Sequence, residues 1–223
     1  DVMAMGSSNY YASTTGNNYS SGSGTSFSCP LTSGVCALML SANKNLTPLQ
    51  VIGILKKFAS NTNSPNNQMG WGIIDASLAV DSARKLDNSL PVIQHTQPFT
   101  NTSNNGVITM KARITDNGII RNWTNEAPRL YFRKSTDNGV SWTSYTAANY
   151  SAQNLDTFSF QITGSVNGTR VEYYFAAQDI ALPTPKMATL PAGGSGVNPP
   201  GSTAPATRFT FTVGTVGINP VSS

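Results

Sequence analysis

An α/β segment followed by an all-β region is the fold class that the sequence predicts, on three observations. Helix-period apolar spacing with helix-start signals is confined to residues 1–88. From about residue 90 onward the chain is short β-rich runs broken by Asn-Gly, Asp-Asn-Gly and Gly-Ser turns. Only 11% of the residues are charged, under half of the ~25% usual for soluble domains, and Ser, Thr, Asn and Gly fill the difference. That composition suits a secreted, strand-rich protein, and 223 residues with 39% hydrophobic content allow two modest cores.

In chain order, Asp1 to Met5 reads as a short strand ending at Gly6, and Ser7 to Ser23 as loops and a small hairpin around Thr15-Gly16-Asn17-Asn18. A helix is expected from Ser26 to Ala42, with Pro30 at or near its first turn. Because this helix is apolar nearly all round, it is expected to be central and covered on most sides. The next helix has Thr47 as N-cap, Pro48 first and Gln50 third, a reciprocal capping box. Its apolar face is expected to be Val51, Ile52, Leu55, Phe58 and Ala59. Gly70-Trp71-Gly72 forms a turn, Asp75 caps a last helix ending near Arg84-Lys85, and Leu86 to Pro91 is the linker.

Strands are then expected at Val107 to Ile114, Arg129 to Lys134, Ser141 to Tyr145, Thr157 to Ile162, Val171 to Ala177 and Arg208 to Val213. Six or seven short strands at that spacing predict an antiparallel sandwich of Ig or fibronectin type. Leu182 to Ala206, rich in Pro and Gly, is expected to be a long loop unable to hold a regular ladder. Tyr173, Tyr174 and Phe175 are read as packing residues of a core strand.

The net charge of +4 comes with basic residues at most in pairs, which argues against a nucleic-acid partner. The longest apolar run, Val35 to Leu40, is too short to span a membrane. Cys29 and Cys36, seven apart on one helix, lie about 10 Å apart along its axis. That is beyond disulfide reach, and no second pair of ligands argues for zinc. The opening Asp1-Val-Met-Ala-Met has neither an initiator Met nor a charged-then-apolar leader, and is expected to be a cut or fragment boundary.

The segment that carries chemistry is Gly24-Thr25-Ser26-Phe27-Ser28-Cys29-Pro30, followed by Gly34, Ala37 and the apolar helix. A serine at a helix N-terminus sits where free N–H groups and the helix dipole favour developing negative charge. On position alone an ordinary N-cap is the commoner explanation of Ser26. The segment resembles the nucleophile signature of the subtilisin-like serine peptidases, Gly-Thr-Ser-x-(Ser/Ala)-x-Pro. Three further landmarks accompany it: Asp1 to Gly6 with Met5 where relatives often have Pro, Leu46-Thr47-Pro48-Leu49-Gln50-Val51, and Gly70-Trp71-Gly72 with Asp75-Ala76.

The resemblance implies that residues 1–88 are the C-terminal portion of a subtilisin-like parallel-sheet catalytic domain. Ser26 is then the nucleophile, its backbone N–H helps hold the oxyanion, and Gly24 and Thr25 line the substrate. The family's triad runs Asp, His, Ser, with both partners and the oxyanion-hole Asn upstream of the serine. Only 25 residues precede Ser26 and none is His. The chain alone is therefore expected to be inactive, with a peptide or protein as substrate and the missing N-terminal half of the domain as partner. No cofactor is expected; calcium, which many relatives bind, has no assignable residues.

Ser26, Asp75 and His95 also stand in the chain order of an α/β-hydrolase triad, although Ser26 lacks the Gly-x-Ser-x-Gly elbow and Asp75 is better explained as a cap. Ser28 is read as a helix residue bonded to nearby backbone. Ser135-Thr136-Asp137-Asn138-Gly139-Val140-Ser141-Trp142 resembles an Asp-box, but occurs once, and is read as a turn in which Asp137 bonds backbone and Gly139 takes positive φ. Residues 89–214 resemble the accessory sandwiches of secreted bacterial enzymes, and the alternative function is that of a non-enzymatic binding or tethering module. Residues 215–223 are read as a linker, similar to one that precedes a bacterial secretion sorting domain. These resemblances imply a secreted or cell-surface bacterial protein.

Overall fold

The computed structural model describes residues 1–96, 106–123 and 125–214; the linker expected at 215–223 lies outside the described residues. The chain forms two compact units, one of residues 1–88 with 117–119 and 181–183, the other of the remaining residues.

In the first unit an antiparallel hairpin, β1 (Asn9–Ala12) and β2 (Tyr19–Gly22), precedes three helices, α1 (Thr25–Ala42), α2 (Pro48–Lys57) and α3 (Ala76–Lys85). The capping box of α2 forms as its sequence requires: Thr47 Oγ1 accepts the Gln50 N–H and Gln50 Oε1 accepts the Thr47 N–H. Asp75 caps α3 by accepting the Leu78 N–H at 2.9 Å. Ala79 and Ala83, one turn apart and fully buried, let α3 pack against both α1 and α2.

Three expectations for this unit change. The strand Asp1 to Met5 reduces to a single parallel bridge, Met3 to Ile73, because only Met3 directs both backbone groups at residues 72–74. Helix α1 is not covered on most sides. It buries one stripe, Val35, Met39 and Ala42, and leaves Leu31, Leu38 and Leu40 exposed, Leu38 by 56%. By length and composition alone it also reaches the minimum for a membrane-crossing helix, which the short run Val35 to Leu40 did not suggest. In α2 the buried face is Val51, Ile54 and Leu55, with Ile52 exposed.

The second unit is all antiparallel: β3 (Val92–Gln94), β4 (Gly106–Thr115), β5 (Arg129–Ser135), β6 (Thr146–Asn154), β7 (Thr157–Ser165), β8 (Arg170–Gln178), β9 (Met187–Leu190) and β10 (Phe209–Thr212). The strands form one hydrogen-bonded path, β10-β8-β5-β6-β7-β4-β3, with β9 also on β8, so the unit is a nearly closed sheet. The corner is β6. Its residues 146–149 pair with β5, and from Tyr150 onward it pairs with β7, with a register shift between Tyr150 and Ala152, so one strand serves two neighbours in succession. Strict alternation along β4 places Ile108, Met110, Ala112 and Ile114 inside, against Leu130, Phe158, Phe160, Ile162 and Phe175.

The strand expected at Ser141 to Tyr145 begins instead at Thr146. The segment 182–206 does hold a ladder: β9 pairs with Phe175 to Gln178 of β8. Its later part covers the outer face of β8, where Tyr131 and Tyr174 stack with ring centres 4.9 Å apart. Their hydroxyls donate to the carbonyls of Pro200 (3.0 Å) and Gly201 (2.9 Å). Covered on both faces, β8 buries Tyr173, Tyr174 and Phe175 alike.

Gly201 makes that cover fit: φ is +68° and an added Cβ would stand 2.3 Å from the Ala176 Cβ. Gly201→Ala is expected to destabilise the protein by about 1–3 kcal/mol, read as a lower urea midpoint for the tryptophan or near-UV signal.

Candidate functional site

Helix α1 starts on a residue that cannot cap it. Its N-cap is Gly24, which has no side-chain acceptor, and no acidic residue lies in the first turn. Ser26 is the second helical residue, with an exposed side chain, so it is not the N-cap serine that position alone would suggest. Pro30 lies inside the helix and lacks the N–H that would otherwise bond the carbonyl of Ser26, four residues earlier.

Two contacts hold this helix start. Gly24 N–H donates to the Gly6 carbonyl at 2.7 Å, and Ser28 Oγ donates to the Ala4 carbonyl at 2.9 Å. Gly6 admits both, since a Cβ there would lie 2.6 Å from Ser28 Oγ and 3.0 Å from the Gly24 oxygen. Ser28 thus bonds nearby backbone. Gly24 borders Ser26 directly: the position of its missing Cβ lies 3.5 Å from Ser26 Oγ. Thr25 opens the helix with its side chain exposed.

No histidine stands among residues 1–88, and the chain's one histidine, His95, belongs to the second unit. Its Nδ1 lies 2.6 Å from the Lys111 carbonyl and its Nε2 2.9 Å from the Tyr173 hydroxyl. A carbonyl only accepts, so Nδ1 carries the proton, and in the neutral ring Nε2 accepts from Tyr173. Burial lowers the His95 pKa, opposed by the bond to Lys111, and pushes Tyr173 up. With both ring nitrogens engaged and the Asp75 carboxylate capping α3, the α/β-hydrolase assignment fails.

The Asp-box-like segment is a turn. Asp137 accepts the Ser141 N–H at 2.9 Å and the Ser135 hydroxyl at 2.6 Å, while Trp142 Nε1 donates to the Gly139 carbonyl. Positive φ falls on Asn138 as well as Gly139. The Ser135 and Ser141 bonds hold the Asp137 carboxyl well below the usual carboxylate range. Arg133 lies over Trp142 at 4.8 Å and over Tyr145 at 5.1 Å, so this surface is structural packing.

Two outcomes follow from these geometries. Ser28→Ala is expected to cost about 1 kcal/mol of stability and Gly6→Ala more. The double variant should recover part of the Gly6→Ala loss in thermal melts, because the atom nearest the new methyl is gone. For His95, the folded pKa lies below its ordinary 6.5, so its contribution to stability is complete above that pH and is lost as pH falls toward the folded value. Urea midpoints measured from pH 7.5 to 5 should fall more steeply for the native chain than for His95→Gln.

Comparison with known proteins matches residues 1–72 to the model of the Subtilase family. The chain is 46% identical over 56 residues to subtilisin-like protease 3 of Plasmodium falciparum (isolate 3D7), an overlap that covers 25% of this chain and 7% of that protein. It is 37% identical over 89 residues to subtilisin-like protease 1 of Plasmodium berghei (strain Anka), covering 40% of this chain and 15% of that one. The chain thus spans a small part of the curated relatives it matches, and the residues matched by the family model include Ser26. Residues 1–72, with the uncapped helix start and its serine, are subtilase-like sequence.

Proposed function

We propose that residues 1–88 are the nucleophile-bearing part of a subtilisin-like serine endopeptidase and residues 89–214 an accessory Ig-like β-sandwich, together part of a secreted protein. The observation that carries the reading is the exposed Ser26 on the second residue of an uncapped helix. There the Ser26 hydroxyl attacks a peptide carbonyl, and the Ser26 N–H, pointing out of the helix end, donates to the oxyanion of the tetrahedral intermediate. Gly24 leaves the approach to Oγ bare, and Thr25 borders the substrate.

The proton on Ser26 needs a base, and the triad requires a His oriented by an Asp. Neither comes from residues 1–88, which hold no His. We assign both to a further segment of the peptidase domain that packs on this unit. Exposed Met5, Leu31, Leu38, Leu40 and Ile73 support the assignment, since each leaves apolar area that a packed segment would cover. The 223-residue chain by itself is then inactive. The low charge content supports secretion.

Labelling with a fluorophosphonate serine-hydrolase probe tests the reading. The chain alone is expected to remain unlabelled, and the complete peptidase to label in a way that Ser26→Ala abolishes. Ser26-dependent labelling of the chain alone would overturn the missing-base assignment, and labelling of the complete peptidase that survives Ser26→Ala would overturn the nucleophile assignment.

A further inference from the structure

The β1–β2 hairpin immediately precedes α1 and presents two different faces. Its register sets Asn9 opposite Gly22, Tyr10 opposite Ser21, Tyr11 opposite Ser20 and Ala12 opposite Tyr19. By the two-residue alternation of strands, Tyr11 and Gly22 share one face, and Tyr10 and Tyr19 the other. Tyr10 and Tyr19 are almost wholly exposed.

Tyr11 turns toward the nucleophile's neighbour. Its ring centre is 5.5 Å from that of Phe27, with the planes tilted by 31°. The two rings converge on bare backbone: a Cβ on Gly22 would meet Tyr11 Cε1 at 3.1 Å and Phe27 Cζ at 3.2 Å. Phe27 in turn reaches the Ser26 site, since the position of the missing Gly24 Cβ lies 3.5 Å from Ser26 Oγ and 4.0 Å from Phe27 Cδ2. Gly22, Gly24, Ser26, Phe27 and Tyr11 therefore form one continuous surface, and Tyr11 keeps 41% of its own surface open to solvent.

The electrostatics of this surface are uniform. Between Asp1 and Lys44 the sequence contains no Asp, Glu, Lys, Arg or His, so this stretch of chain offers a charged substrate side chain no counter-ion. An apolar ring gains contact there without losing ionic hydration, and tilted or edge-on ring pairs add about 0.5–1.5 kcal/mol beyond area burial.

Resting on the endopeptidase reading above, we propose that Tyr11 is a specificity residue of that site: with Phe27 it forms an aromatic wall that receives an aromatic side chain on one of the two substrate residues flanking the cleaved bond. Gly22 is what seats the Tyr11 ring, because any larger residue would occupy the place where the two rings meet.

The test is peptide cleavage by the complete peptidase that carries this segment, using matched substrates with Phe or Ala at each of the two flanking positions. The native enzyme should favour Phe at one of them. Tyr11→Ala should reduce that kcat/KM ratio at least about tenfold, while Tyr11→Phe and Tyr10→Ala, the latter on the opposite hairpin face, keep it. Fluorophosphonate labelling of Tyr11→Ala at the native rate shows that the nucleophile is still formed. Where the native enzyme shows no Phe preference, or Ser26-dependent cleavage keeps the same ratio in Tyr11→Ala, the specificity assignment is overturned and the endopeptidase reading stands. Cleavage that does not depend on Ser26 overturns the reading itself and the assignment with it.

Discussion

The missing side chain of Gly6 is the constraint on which the candidate site depends. Through that gap the Gly24 N–H reaches the Gly6 carbonyl and the Ser28 hydroxyl reaches the Ala4 carbonyl, two bonds on the two sides of Ser26. The serine is positioned by its neighbours and spends no bond of its own on the task. Because the cap position is a glycine, the first N–H groups of α1 have no competing side-chain acceptor. A fixed mount, an exposed hydroxyl and a helix start without a side-chain cap thus arise from the same few residues, and all three suit attack on a carbonyl.

The second unit is organised by two strands that each serve two masters. β6 pairs first with β5 and then with β7 across a register shift, which turns one ladder into a nearly closed wall. β8 carries β5 on one edge, and β10 and β9 in succession on the other. The inner face of β8 packs Tyr173 and Phe175 into the main core, while its outer face packs Tyr174 against Tyr131 under residues 200–201. His95 occupies the edge of that core as a neutral ring bonded on both sides, a structural histidine in a chain that has no other.

Local chemistry made much of this legible. Thr47-Pro48-x-Gln50 reads as a helix start because its bonds close within four residues, and Asp75 as a cap for the same reason. The alternation of β4 reads as a strand with one face inside. β6 was not legible: Thr-Ala-Ala-Asn-Tyr-Ser-Ala-Gln-Asn has weak strand preference and is exposed along most of its length, so neighbours on both edges hold it in line. β9 was hidden by the prolines and glycines around it, since a partner strand supplied the ladder that its own composition argues against.

For the site, the sequence determined the nucleophile candidate, its glycine neighbours and the helix that follows, because these form one contiguous segment whose spacing is its geometry. Only the tertiary structure decided that the cap is Gly24 and not Ser26, that Gly6 must be bare, and that Tyr11, 15 positions before Ser26, faces Phe27. Contacts of that kind are set by how separate segments meet, and no periodicity within either segment encodes the meeting.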